Sequence, residues 1–162
     1  MSENFDIELK NRIRQYAKNN KKKWYFFFGK KGDEFKNFKE IQNKKLIDVN
    51  DSCWKDVFPN ASCWKDVFLR AFIFFEEVTF IEDLLKAGAD PNSGNGFQLY
   101  YAASCTRPEI GFCMSKLLLD FGADPNIGVP RSKALDIAIQ RKNLAIISLL
   151  IERGADPSEY IL

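Results

Sequence analysis

The chain has 162 residues, of which 46% are hydrophobic and 28% are charged. These values are typical of a soluble globular protein, and they exclude a large multidomain enzyme and a disordered chain. The chain has no histidine, which excludes Ser-His-Asp and Cys-His catalysis and every zinc site that needs imidazole. Its net charge of +2 conceals an asymmetry, because residues 9–46 hold 13 Lys or Arg against only three acids.

The four cysteines, Cys53, Cys63, Cys105 and Cys113, do not form the Cys-x-x-Cys spacing of zinc ribbons and redox sites. We interpret them as buried or incidental thiols, and we expect no metal and no cofactor. The N-terminal segment mixes charged and apolar residues, unlike a signal peptide, and no run approaches the ~18 apolar residues of a membrane helix. The sequence therefore predicts a cytoplasmic protein without a transmembrane segment.

The N-terminal region, residues 1–50, is predicted to be a basic, aromatic-rich helical hairpin. Its first helix is indicated over residues 4–19 by Phe5, Leu9, Ile13 and Tyr16, which recur every three or four positions. An aromatic elbow and a second helix ending near Leu46 follow. We expect this hairpin to cap a helical stack. The alternative is an anion-binding segment for nucleic acid or acidic membrane, whose binding residues would be Lys21, Lys22, Lys23, Trp24, Lys30 and Lys31.

Three similar segments, 84–92, 118–126 and 150–158, each carry two aliphatic residues followed after two positions by Gly-Ala-Asp-Pro. Their glycines are 34 and 32 residues apart. Glycine accepts the left-handed conformation that ends a helix, and Asp-Pro stops its continuation. A period near 33 with a helical apolar run before each glycine resembles the ankyrin repeat, a turn followed by two antiparallel helices.

The resemblance implies an all-α fold, with the N-terminal hairpin packed on an ankyrin-repeat helical solenoid. The ankyrin-repeat domain would cover 51–162, with repeats at about 60–92, 93–126 and 127–158. First helices are expected near 62–74, 97–103 and 133–138, and an enlarged loop is expected around 106–108 in the second repeat. The segment Ser-Cys-Trp-Lys-Asp-Val-Phe occurs at 52–58 and again at 62–68. We interpret the second copy as part of the first repeat and the first copy as a short capping turn.

Ankyrin domains bind proteins through a concave surface of inter-repeat loops and exposed first-helix positions, so the resemblance implies a non-catalytic interaction module or adaptor, not an enzyme. Carried over by position, its partner-binding residues would be Arg70, Asn95, Phe97, Tyr101, Ser104, Cys105, Arg131, Ile137, Gln140 and Arg141. We expect Tyr101 and Arg141 to dominate, because Tyr and Arg are enriched among residues that carry binding energy.

The expected partner of this module is another protein, with nucleic acid or acidic lipid as the less favoured alternatives. If the chain is a bacterial effector or a viral factor, the partner would be a host protein in the host cytosol. We expect a monomer, whose last repeat is covered by the apolar segment 160–162.

Overall fold

The computed structural model describes residues 3–20 and 64–160. Within those ranges every regular element is helical, which confirms the predicted all-α class there. The helices are α1 (Glu3–Asn19), α2 (Trp64–Phe75), α3 (Val78–Lys86), α4 (Phe97–Ala103), α5 (Pro108–Asp120), α6 (Ala134–Gln140) and α7 (Leu144–Glu152), and a 3-10 turn (Ser158–Tyr160) follows. The chain divides into two compact units, 1–67 and 68–162, so that the division falls inside α2.

In the first unit, α1 has the amphipathic pattern that the sequence predicts. Leu9 and Ile13, four residues apart on one face, are each 1% exposed. Asp6 of α1 forms an ion pair of 3.1 Å with Lys65 in the first turn of α2. The predicted elbow, the second hairpin helix, the first copy of the duplicated segment and the domain boundary near residue 50 all lie outside the described residues.

The second unit consists of three helix pairs, α2–α3, α4–α5 and α6–α7. Within the first pair, the rings of Phe72 and Phe80 stack with centroids 4.4 Å apart. Between pairs, α4 contacts α6, while α5 contacts both α3 and α7. The first helices α4 and α6 therefore lie side by side in one layer, and the second helices α3, α5 and α7 follow one another in another layer. The core between them is mainly aliphatic and includes Ile81, Leu84, Leu99, Met114, Leu118, Ala138, Ile146 and Leu150.

Each second helix ends in the same way, at the glycine that the repeated segment predicts. These three glycines have positive φ angles of 88°, 90° and 89°. The alanine that follows each of them donates its backbone N–H to the carbonyl of the leucine five residues earlier, at 2.9 Å in all three cases. This is the hydrogen bond that closes a left-handed helix terminus. The repeated sequence therefore has the same structural role, ending the second helix, in all three pairs.

The enlarged loop predicted around 106–108 is only slightly larger than its equivalents, at four residues against two between α2 and α3 and three between α6 and α7. The connection between α4 and α5 consists only of Ser104 to Arg107, and the additional residues extend α5 to 13 residues, against nine in α3 and in α7. Pro108 occupies the first helical position, where its missing N–H costs nothing and its fixed φ suits the helix. Glu109 adds a negative charge to the first turn, which the helix dipole favours.

Neighbouring pairs are linked by an asparagine side chain, which we call the asparagine ladder. Asn92 donates from Nδ2 to the carbonyl of Gly122 at 3.0 Å and accepts at Oδ1 from the N–H of Asp124 at 2.8 Å. One repeat later, Asn126 makes the same two bonds to Gly154 and Asp156, both at 2.8 Å. Each asparagine therefore fixes the turn of its own segment against the backbone of the next.

An ion-pair network adds to the ladder between the second and third pairs. Asp120, the last residue of α5, accepts from Lys116 at 2.5 Å and pairs with Arg153 of the third pair at 2.7 Å. These two hydrogen bonds, that of Lys116 first, hold the pKa of Asp120 below its ordinary value. At the N-terminal end of α5, Arg107 pairs with Glu76 of the turn between α2 and α3.

Candidate functional site

Three aromatic side chains of α4 form a surface group, which we call the aromatic cluster. Phe97, Tyr100 and Tyr101 follow the i, i+3, i+4 spacing that places side chains on one side of a helix. Their ring centroids lie 6.4 Å (Phe97 to Tyr100), 6.0 Å (Phe97 to Tyr101) and 5.8 Å (Tyr100 to Tyr101) apart. Although large and apolar, Phe97 is 42% exposed and Tyr101 is 45% exposed.

The turn before α4 is held rigidly against the third pair. Gly96, the N-cap of α4, has a φ of +78°, and a Cβ atom there would lie 2.4 Å from the carbonyl oxygen of Ile127. Only glycine allows this approach. The fully buried side chain of Gln98 donates from Nε2 to the hydroxyl of Ser93 in the same turn, at 2.5 Å. The exposed Asn95 has a φ of 58°, which asparagine tolerates better than most residues. The cluster therefore starts from a fixed backbone.

Two arginines lie in the segments adjoining this turn. The guanidinium of Arg70, on α2, has Nη2 3.2 Å from the position that a Cβ of Gly94 would occupy. Arg131 is exposed in the segment that leads into α6, four residues after the Ile127 carbonyl that Gly96 touches. Within residues 3–20 and 64–160, neither arginine forms an ion pair. Together with the aromatic cluster, Arg70 and Arg131 define what we call the first-helix surface.

The predicted residues Ser104 and Cys105 lie at the opposite end of α4 from Phe97. Seven helical residues at about 1.5 Å each separate the two ends by about 10 Å. Both side chains are half-buried, and the Ser104 hydroxyl already donates to the carbonyl of Tyr101 at 2.9 Å. Cys105 is a free thiol. The structure therefore does not bring this pair together with Asn95 and Phe97 in one patch.

The prediction that Ile137 belongs to the binding surface is wrong, because its side chain is only 6% exposed. It follows Ala134 by one helical turn, on the face of α6 that is buried, and α6 packs against both α4 and α7. Gln140 and Arg141 are exposed as predicted, but they lie at the end of α6, where Arg141 is the C-cap. The exposed aliphatic residue of α6 is Ile139, at 37%.

Sequence reasoning missed Tyr100 as the third member of the aromatic cluster. Its spacing from Phe97 was a usable signal, since residues three apart on a helix are neighbours. The proposed anion-binding residues (Lys21, Lys22, Lys23, Trp24, Lys30 and Lys31) lie outside the described residues, and that alternative stays a prediction from the sequence.

No clustering of three or more potential metal ligands occurs within residues 3–20 and 64–160. In the same ranges, none of the helices has the length and apolar composition needed to cross a membrane. The pKa of Asp156 is lowered because its carboxylate accepts a hydrogen bond from the backbone N–H of Ser158 at 2.9 Å. That bond stabilises the turn after α7.

No family model, no curated protein and no solved structure matches the chain.

Proposed function

We propose that the second unit is a solenoid of three ankyrin-type repeats. The proposal is supported by the three helix pairs, by the identical glycine termini of the second helices and by the asparagine ladder between consecutive pairs. In a repeat architecture each unit packs mainly on its neighbours. The observed contacts, first helix to first helix and second helix to second helix, follow that rule.

The function that this arrangement supports best is non-catalytic recognition of another protein through the first-helix surface. The observation that carries the proposal is the pair of adjacent rings, Phe97 and Tyr101, exposed by 42% and 45% on a helix that its N-terminal turn holds in place. Contiguous exposed apolar surface of this kind marks interaction sites. Aromatic side chains contribute strongly to protein-protein binding because they bury a large area at a low cost in conformational entropy. An adaptor or a host-directed factor would use such a surface.

Affinity capture with the full chain tests this function. The immobilised wild type is compared with a Phe97→Ser/Tyr101→Ser variant in candidate host-cell lysates. The matched control is Phe121→Ser, which removes a ring of similar exposure, 39%, at the end of α5.

We expect proteins that bind the wild type and the Phe121 variant to be lost from the double variant, while circular dichroism shows all three proteins equally helical. If the double variant retains the same proteins as the wild type, the surface is not the recognition site.

A further inference from the structure

We propose that the first-helix surface binds an acidic segment of its partner, one in which carboxylates flank a large apolar side chain. This inference rests on the proposed function and adds the chemistry of the ligand. The charges around the aromatic cluster, and the order in which they occur across the helix pairs, support it.

Basic and acidic residues are divided unevenly between the two layers of the second unit. Across the first helices and the segments leading into them (68–75, 91–103 and 127–140), the basic residues are Arg70, Arg131 and Lys133. The only acid in these three ranges is Asp136, and Asp66 in the first turn of α2 is buried, at 3% exposed. Elsewhere in residues 68–160 there are six basic residues against eleven acids. An acidic ligand is therefore attracted more strongly to these segments than to the rest of residues 68–160.

Asp136, the single acid of these three ranges, is already engaged. Asp136 accepts at Oδ2 from the backbone N–H of Lys133 at 2.7 Å, and at Oδ1 from the hydroxyl of Tyr160. By contrast, Arg70 and Arg131 have no ion-pair partner among the described residues. The two guanidinium groups are thus available for carboxylates, which they bind in a planar, two-pronged geometry.

The positions of the two arginines and the aromatic cluster determine the order of acidic and apolar residues in the segment that would bind. Arg70 belongs to the first pair and reaches the Gly94 turn, the aromatic cluster belongs to the second pair, and Arg131 precedes the first helix of the third. A segment that crosses the layer therefore meets a positive charge, then exposed rings, then a second positive charge. An apolar side chain packed on Phe97 and Tyr101 would leave acids on both sides of it to pair with the arginines.

A random 12-residue peptide library displayed on phage tests the inference on the full chain. It is selected in parallel against wild type, Tyr101→Ser, Phe97→Ser, Arg70→Gln/Arg131→Gln and two controls, Phe121→Ser and Lys86→Gln. Lys86 lies on α3, outside the first-helix layer, where it pairs with Glu82 at 2.6 Å. The basic segment 9–46 can also bind acidic peptides. For this reason we count only peptides that are selected by the wild type and lost with the Tyr101→Ser or the Phe97→Ser variant.

We expect the counted peptides to carry Asp or Glu on both sides of a Leu, Ile or Phe, and both controls to retain them. For a synthetic peptide of that group, the Arg70→Gln/Arg131→Gln variant should weaken binding about tenfold, as should replacing the acids of the peptide by amides. Counted peptides that are neutral or basic would overturn the inference and leave the proposed function standing. If no peptide depends on either ring, both the inference and the proposed function fail.

Discussion

Replacing Asn126 by alanine tests whether the asparagine ladder holds consecutive helix pairs together. The substitution removes the bonds to the Gly154 carbonyl and from the Asp156 N–H, each 2.8 Å long. It leaves the local turn intact, because the N–H of Asn126 still donates to Asp124 Oδ1 at 2.8 Å. A typical net contribution is about 0.5–1.5 kcal/mol per hydrogen bond. Since Asn126 is exposed and water replaces part of what is lost, we expect a decrease of about 1 kcal/mol in the free energy of unfolding.

Urea denaturation followed by circular dichroism measures this loss. The equivalent Asn92→Ala should behave in the same way. The double variant should lose roughly the sum, because the side chains of the two asparagines bond to different backbone groups. Asn126→Asp keeps the acceptor but places an oxygen against the Gly154 carbonyl, so it should be at least as destabilised as Asn126→Ala. Asn11→Ala, on the exposed side of α1, is the control. It removes one exposed hydrogen bond within the helix, from Arg14 at 2.9 Å, and none between helix pairs, so it should lose little stability. A loss below about 0.3 kcal/mol for both single alanine variants would refute the reasoning and leave apolar contact as the link between pairs.

Three further predictions follow from burial, backbone geometry and charge. Leu150→Ala should lower the free energy of unfolding by about 2–5 kcal/mol, because the side chain is fully buried. The adjacent Ile151 is 46% exposed, so Ile151→Ala should cost much less. Equal losses of the two variants in urea denaturation would mean that the register of α7 is wrong. Gly122→Ala should cost about 1–2 kcal/mol of stability from its left-handed backbone alone. Gly96→Ala should cost clearly more, because its Cβ would lie 2.4 Å from a backbone carbonyl oxygen. Thermal melts should therefore show a lower melting temperature for Gly96→Ala than for Gly122→Ala. Because the pKa of Asp120 is lowered in the folded protein from 3.8, its ion pairs stabilise the fold above that pH and are lost as the pH falls through the folded value. Acid titration of stability should therefore show a smaller decline for Asp120→Asn, by at most about 1 kcal/mol, and an unchanged decline would count against the network.

The helix pairs were predictable from the sequence because their signals are local. The three repeated segments, 84–92, 118–126 and 150–158, combine an aliphatic run, a glycine and Asp-Pro within nine residues, and each component has a single structural consequence. The same holds for α1, where the four-residue spacing of Leu9 and Ile13 matches their burial. A feature determined within a few residues of the chain is visible in the sequence before any packing is known.

Burial on the first-helix layer was harder to predict because it depends on neighbours that are remote in sequence. Tyr101 and Ile137 hold the same position in successive first helices, yet Tyr101 is 45% exposed and Ile137 is 6% exposed.

The structural meaning of Pro108 is ambiguous in the sequence for a different reason. Proline after a helix signals a break and proline at a first helical position signals a start, so the sequence alone does not decide between a longer loop and a longer α5.

The last helix pair shows that the surface between neighbouring pairs has two separable components. Its apolar component is present in the second and third pairs. Ala103 and Leu119 of the second pair are 1% and 8% exposed, and the equivalent residues of the third pair, Ile139 and Ile151, are 37% and 46% exposed. Its polar component is the asparagine of the repeated segment, and the third repeated segment has Ser158 at that position. A serine hydroxyl is too short to hold a carbonyl and an N–H of a following segment with two separate atoms, as a carboxamide does. The segment 150–158 therefore lacks the side-chain amide that makes the two ladder bonds in each of the preceding segments, while its helix pair keeps the exposed apolar side chains Ile139 and Ile151.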